Sequence, residues 1–128
     1  MPDRLLIDSD VAIDYLRGHP DALAYIDNSL DELLISAVTV AELYAGYKGS
    51  QEKQKLDAFV GAFQFIAMDH GAAVGGGEYR NRYGKTHGTD LNDAINAAIA
   101  ESQSAKIVTL NAKHYPMLKD AIIPYRKP

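Results

Sequence analysis

Apolar residues are arranged along the chain in two alternating patterns. Five short, mostly apolar runs (Leu5–Ile7, Leu33–Ser36, Phe63–Ala67, Lys106–Leu110 and Ile122–Tyr125) have the length and composition of strands buried on both faces. Between them apolar positions recur at a period near 3.6. This predicts helices over Val11–Arg17, Ala22–Ile26, Val40–Lys48, Gln51–Ala62, His70–Tyr83, Leu91–Gln103 and Ala112–Lys119. The punctuation agrees: Gly18 suits a C′ position, Pro20 a first helical turn, and Gly84 follows the fifth helix. The only shift in composition, Gly75-Gly76-Gly77, falls inside that helix. Doubly buried strands alternating with helices predict an α/β protein, a three-layer fold with a central parallel sheet of about five strands flanked by helices.

Right-handed crossovers place every strand's carboxyl end along one edge of such a sheet, where α/β proteins bind their ligands. The residues following the strands therefore share a neighbourhood. They are Asp8-Ser9-Asp10 after the first, Thr39 and Glu42 soon after the second, Asp69 after the third and Asn111 after the fourth. Asp90 and Asp93 open the helix that precedes the fourth strand.

With 128 residues the chain fits one domain, 1–128. No apolar run approaches the roughly 18 residues a membrane span needs, and the acidic start is unlike a signal peptide, so a cytoplasmic protein with no membrane association is expected. Zero cysteines exclude a disulfide scaffold and thiolate chemistry. Thirteen basic against seventeen acidic side chains leave a net charge of −4, which opposes binding nucleic acid by bulk charge alone.

Singly, the acids have structural explanations. Thr39-Val40-Ala41-Glu42 has the outline of a capping box, Asp90-Leu91-Asn92-Asp93 has the same outline with Asp90 as the cap, and Asp10 could cap the first helix. Asp8 ends a buried strand, where a charge needs partners or a cation. Together they call for more, because two carboxylates about 4 Å apart repel by roughly 4 kcal/mol at an effective dielectric near 20. No lysine or arginine is built into these stretches, so a divalent ion is the economical counter-charge, and all-oxygen ligation favours Mg²⁺ or Mn²⁺ over Zn²⁺. The four histidines show no ligand spacing and read as surface or packing residues, with His87 the exception to watch because it precedes the Asp90 helix.

The stretches LIDSDVAIDYL, TVAELYAG, HGTDLNDAINAAIA and IVTLNAKHY, taken in that order from residue 5 to about 118, resemble the four signature segments of PIN-domain ribonucleases, most closely the VapC-type toxins of bacterial toxin–antitoxin pairs. The resemblance implies a single PIN-like nuclease domain, a metal-dependent endoribonuclease that hydrolyses RNA phosphodiester bonds. It implies Asp8, Glu42 and Asp93 as metal-binding and catalytic acids. Asn111, falling where many members carry a fourth acid, is implied as a further catalytic residue, and Ser9 and Thr109 match small hydroxyl positions that orient ligands or water. Asp90 is an outer acid or a helix cap. Two positions depart from the pattern: Asp10, where the family often has Asn, and Asn96, where an apolar residue is usual. A homodimer and a cognate antitoxin are implied as partners. Arg80, Arg82 and Lys85, with Tyr79 and Tyr83 in EYRNRYGKTHG, form the basic and aromatic cluster best suited to RNA, joined by Arg17 and Lys48 near the acidic edge.

Two rival readings remain at this point. Asp8-Ser9-Asp10 after a strand also resembles the start of haloacid-dehalogenase-like phosphohydrolases, which would leave Glu42 and Asp93 idle. A receiver-like signalling module would use Asp8, Asp10, Asp69, Thr109 and Lys127, but its lysine belongs at the end of the last strand.

Overall fold

A computed structural model describes residues 2–127. Strands β1 (Arg4–Ile7), β2 (Glu32–Ser36), β3 (Gln64–Ile66) and β4 (Lys106–Val108) form one parallel sheet in the order β3-β2-β1-β4. Leu5 pairs with Leu33 and Leu6 with Leu34 on one side of β1, and Leu6 with Ile107 and Ile7 with Val108 on the other. Because side chains alternate across a strand, consecutive residues feed two separate cores. Leu5, Ile7, Ile35 and Val108 face the layer made by α1 (Ser9–Leu16), α2 (Pro20–Asp27), α3 (Ala37–Ala45) and α4 (Gly49–Gly61). Leu6, Leu34 and Ile66 face α5 (His70–His87) and α6 (Leu91–Ser102). The architecture is the expected three-layer α/β fold.

The sheet has four strands where about five were expected. The Ile122–Tyr125 run contributes a single parallel bridge to Val108: the Ile122 N–H donates to the Ile107 carbonyl at 2.8 Å, and the Thr109 N–H donates to the Ile122 carbonyl at 3.0 Å. Pro124 has no N–H to carry the ladder further. The tail is held instead by Asp14 on α1, which accepts from the Tyr125 hydroxyl and Lys127 Nζ at 2.8 Å each. Burial works against ionisation of Asp14, and these donors outweigh it and lower its pKa.

Proline also ended the expected Ala112–Lys119 helix, of which only a 3-10 turn, Ala112–His114, forms. The ring of Pro116 disfavours the helical region for Tyr115, whose backbone is at φ −122, ψ 53. In contrast Gly84 does not stop α5. Arg80 folds over the space that a side chain there would fill, and the helix runs on to Gly88 at φ +67. The α3 helix begins earlier than expected, capped by Ser36 Oγ accepting from the Thr39 N–H at 3.1 Å, so Thr39–Glu42 is not a capping box.

The packing of α5 on α6 explains Gly76 in the triple glycine. A Cβ on Gly76 would lie 2.6 Å from Ile95 Cγ1 and 2.9 Å from Ile95 Cα, whereas Gly77 faces open space. Gly76→Ala is therefore expected to cost about 1–3 kcal/mol by overpacking. Gly77→Ala should instead be neutral or stabilising by about 1 kcal/mol through helix propensity. Urea unfolding of both variants checks this, and equal effects would exclude close helix approach as the reason for glycine at Gly76.

Candidate active site

In the strand order, β2 and β3 lie to one side of β1 and β4 to the other, so the switch point of the sheet falls between β1 and β4. Crevices for ligands form outside the carboxyl ends of strands at such a point. Asp8 leaves β1 there, with its N–H donating to the Val108 carbonyl at 2.9 Å and its side chain 6% exposed. Asp8 Oδ1 accepts from the Ser9 N–H at 2.8 Å, and Oδ2 accepts from Thr109 Oγ1 at 2.9 Å and from the Tyr115 hydroxyl at 2.8 Å.

Asp93 approaches from the first turn of α6. Asp90 caps this helix as the sequence suggested: Asp90 Oδ1 accepts from the Asp93 N–H at 2.8 Å, and Asp93 Oδ2 accepts from the Asp90 N–H at 3.4 Å. Asp93 Oδ1 accepts from the same Tyr115 hydroxyl at 3.1 Å, and Oδ2 pairs with His114 Nδ1 at 3.3 Å. Glu42 lies on α3 and is open to solvent, near Asn92 and Ser9. A groove of about 490 Å³ opens beside it between α1, α3 and α4, and its lining includes Arg17 and Lys48 together with Lys55. Arg80, Arg82 and Lys85 are exposed on α5, where Arg82 lies over the Tyr83 ring at 5.9 Å.

Asp8, and not Asp10, caps α1, and Asp10 meets Asn111 instead. Asn111 Nδ2 donates to Asp10 Oδ2 at 3.3 Å and not to Asp8. The same Asp10 oxygen accepts from the Leu110 N–H at 2.9 Å, while Oδ1 accepts from Val11 N–H at 2.7 Å. Asp10 thus ties the start of α1 to the segment after β4. Asn96 is buried and satisfied: Ser36 Oγ donates to its Oδ1 at 2.6 Å and its Nδ2 donates to Thr39 Oγ1 at 3.3 Å, joining α6 to β2 and α3.

The electrostatics follow from burial and from like charge. Burial pushes Asp8 above the usual carboxylate range, and the charge of Asp90 adds to it. Asp93 is pushed up to about 7 by burial and then by the charges of Asp90 and Asp8, and Asp10 to about 6 by burial and then by Asp8. Glu42 is raised by loss of hydration and by Asp8 and Asp90, while hydrogen bonds from Asn92 and Ser9 act the other way. Tyr115 is raised by burial and by both aspartates, so its hydroxyl stays protonated and serves as a donor. These shifts bring Asp8, Glu42, Asp90 and Asp93 within one electrostatic neighbourhood. Among the described residues, no three acidic or histidine side chains close into a metal-binding cage as they stand.

A PIN-domain family model matches residues 5–117. The chain belongs to the PIN-domain family. Within it, the chain is 37% identical to Ribonuclease VapC19 of Mycobacterium tuberculosis over 124 residues, covering 94% of this chain and 98% of that protein. It is 31% identical to Ribonuclease VapC10 of the same organism, covering 97% and 95%. In fold it superposes on a toxin–antitoxin complex from Klebsiella pneumoniae with a TM-score of 0.83, at 23% identity and covering 96% of this chain and 99% of that chain.

Neither rival reading gains support in this PIN domain. Asp69 caps α5 by accepting from the Ala72 N–H at 2.8 Å, and Lys127 pairs with Asp14, away from the acids, so no receiver-type constellation forms. Glu42 and Asp93 lie close enough to Asp8 for its charge to raise both, whereas the dehalogenase-like reading gave them no part. Two site residues escaped sequence reading. Tyr115 passed for part of a helix, and His114 for a surface or packing residue, while the favoured His87 is exposed at the end of α5 and bonds its neighbour Thr86. The one available signal was Pro116, which breaks the helix and turns Tyr115 inward.

Between the ordinary carboxyl pKa of 3.8 and the raised values of Asp10 and Asp93, the native state holds protons that the unfolded chain has released. Stability contributed by this protonation is full near pH 4 and lost as pH rises through about 6 to 7. In EDTA the melting temperature should therefore fall between pH 5 and pH 8 by several degrees, about 1 kcal/mol moving a domain of this size by roughly 4 °C. A melting temperature that is flat or rising across that interval would contradict the assignment of these acids as strained.

Proposed function

We propose that this chain is a metal-dependent endoribonuclease and the toxin of a type II toxin–antitoxin pair, with Asp8, Glu42 and Asp93 as its metal-binding and catalytic acids. The observation that carries the reading is the convergence of these acids at the sheet's switch point, with pKa values raised by burial and by one another.

The donor set suits a hard cation. All three ligands are carboxylates, and no lysine or arginine among the described residues pairs with them. Arg4, Lys53, Lys106 and Lys127 pair instead with Glu32, Asp57, Asp3 and Asp14. Asp8, Glu42 and Asp93 would hold Mg²⁺ or Mn²⁺, which supplies a water of lowered pKa and neutralises charge gathering on the scissile phosphate. Thr109 and the Ser9 amide fix the orientation of Asp8. Glu42, accessible to solvent and raised in pKa, is the acid best placed to take a proton from an attacking water. Arg17 and Lys48, lining the groove beside Glu42, offer phosphate contacts along it. Arg80, Arg82 and Lys85 extend the basic surface along α5, with Tyr79 and Tyr83 available for base stacking. Asn111, whose amide donates to Asp10, supports the site's frame and leaves the metal to the three acids.

Relatives supply the biological setting. The two mycobacterial proteins are ribonucleases by name, and the Klebsiella structure is a toxin–antitoxin complex. A cognate antitoxin and a second copy of the chain are proposed as partners, with RNA as substrate. No helix among the described residues is long and apolar enough to cross a membrane, which fits action on RNA in the cytoplasm.

Induced expression in a bacterial host tests the proposal. Wild type should arrest growth and produce discrete new RNA 5′ ends, whereas Asp8→Asn and Glu42→Gln should lower cleavage by about 10²-fold or more and relieve the arrest. Equal toxicity and equal cleavage by the two variants would refute metal-dependent cutting as the activity.

A further inference from the structure

The hydroxyl of Tyr115 lies between the two acids that the proposed reading assigns to one cation, 2.8 Å from Asp8 Oδ2 and 3.1 Å from Asp93 Oδ1. The remaining oxygens are engaged as well: Asp8 Oδ1 by the Ser9 N–H, and Asp93 Oδ2 by His114 and by the Asp90 N–H. As they stand, the acids satisfy protein donors and form no three-ligand cage. The Tyr115 ring is 1% exposed and packed on Ala97 and Ile107, with Tyr79, Met117, Leu118 and Ala121 around it, so the hydroxyl has little freedom to swing away. A divalent ion ligated by both acids needs oxygens at about 2.1 Å from its centre, which a hydroxyl bridging those same oxygens obstructs.

We infer that Tyr115 is a positioning residue of the site, a latch whose hydroxyl holds Asp8 and Asp93 in the metal-free protein and must give up at least one of them when a divalent cation binds. The inference deepens the metal-dependent reading and rests on it. The latch offsets part of the repulsion between two buried carboxylates while no ion is bound, and it lowers the affinity for the ion by competing for the same oxygens. The opposite possibility is a hydroxyl that keeps Asp8 Oδ2 and thereby aims Oδ1 at the ion. The two make contrary predictions for Tyr115→Phe, which removes the hydroxyl and keeps the ring.

The test compares the full chain and Tyr115→Phe after removal of metal with EDTA and dialysis. Calorimetric titration with Mn²⁺ should show the variant binding about five- to tenfold more tightly, the factor expected for loss of one competing hydrogen bond. Metal-free Tyr115→Phe should melt below wild type, and saturating Mn²⁺ should narrow that gap. In wild type, Mn²⁺ should also change the ultraviolet difference spectrum of tyrosine as the hydroxyl loses a carboxylate partner, and this change should be missing from the variant. Equal or weaker Mn²⁺ binding by a folded Tyr115→Phe would overturn the latch while leaving the nuclease reading intact. Absence of Mn²⁺ binding by wild type would overturn both. Should the variant not fold, the wild-type spectrum decides, and no tyrosine change at saturating Mn²⁺ overturns the latch.

Discussion

Repulsion among carboxylates confined to one sheet edge is the interaction on which the rest of this site depends. A parallel sheet delivers the carboxyl ends of all its strands to the same side, and the β3-β2-β1-β4 order opens a crevice beside Asp8. Asp8 and Asp10 arrive from β1 and α1, Glu42 from α3, and Asp90 and Asp93 from α6. Burial first, and then each added charge, makes these acids harder to ionise, which is why Asp93 reaches about 7 and Asp10 about 6. The fold tolerates this concentration because every oxygen of Asp8, Asp10 and Asp93 is given a donor. Thr109, Leu110, Asn111, Tyr115, Ser9, Val11 and the Asp90 N–H together supply them.

Those donors come mainly from the irregular segment after β4, and this explains why that segment is not a helix. A regular helix from Ala112 would turn Tyr115 and His114 by its own period, without regard to the acids. Instead Pro116 ends the 3-10 turn, Thr89 Oγ1 donates to the His114 carbonyl at 2.7 Å, and Tyr115 is driven into the small cluster with Ala97 and Ile107. The segment is thus pinned on one side to the loop before α6 and on the other to the core. Its polar groups are held where Asp8 and Asp93 meet.

Much of the fold was legible because its causes are local. Doubly apolar runs such as Leu5–Ile7 and Leu33–Ser36 announce buried parallel strands, and the Asp90–Asp93 capping box announces the start of α6. The family could be named from four short stretches in order, and the family match over residues 5–117 agrees with it. Other features were hidden because they depend on partners distant in sequence. Asn96 looks like a misplaced polar residue until Ser36 and Thr39, some sixty positions earlier, are seen to complete its hydrogen bonds. Gly84 reads as a stop signal, yet Arg80 covers it and the helix continues. The last apolar run makes one bridge and no strand, since Pro124 follows and Asp14 claims the tail.

From sequence alone came the α/β architecture, the parallel sheet and the acids gathered at its edge, because periodicity, caps and strand burial are written in consecutive residues. Tertiary structure alone decided how those acids are held: Asp10 bonded to Asn111, His114 beside Asp93, and the Tyr115 hydroxyl between Asp8 and Asp93. The reason is one of range. A helix or strand is specified by neighbours a few residues apart, whereas a hydrogen bond between positions 8 and 115 exists only once both cores have packed and brought the two ends of the chain together.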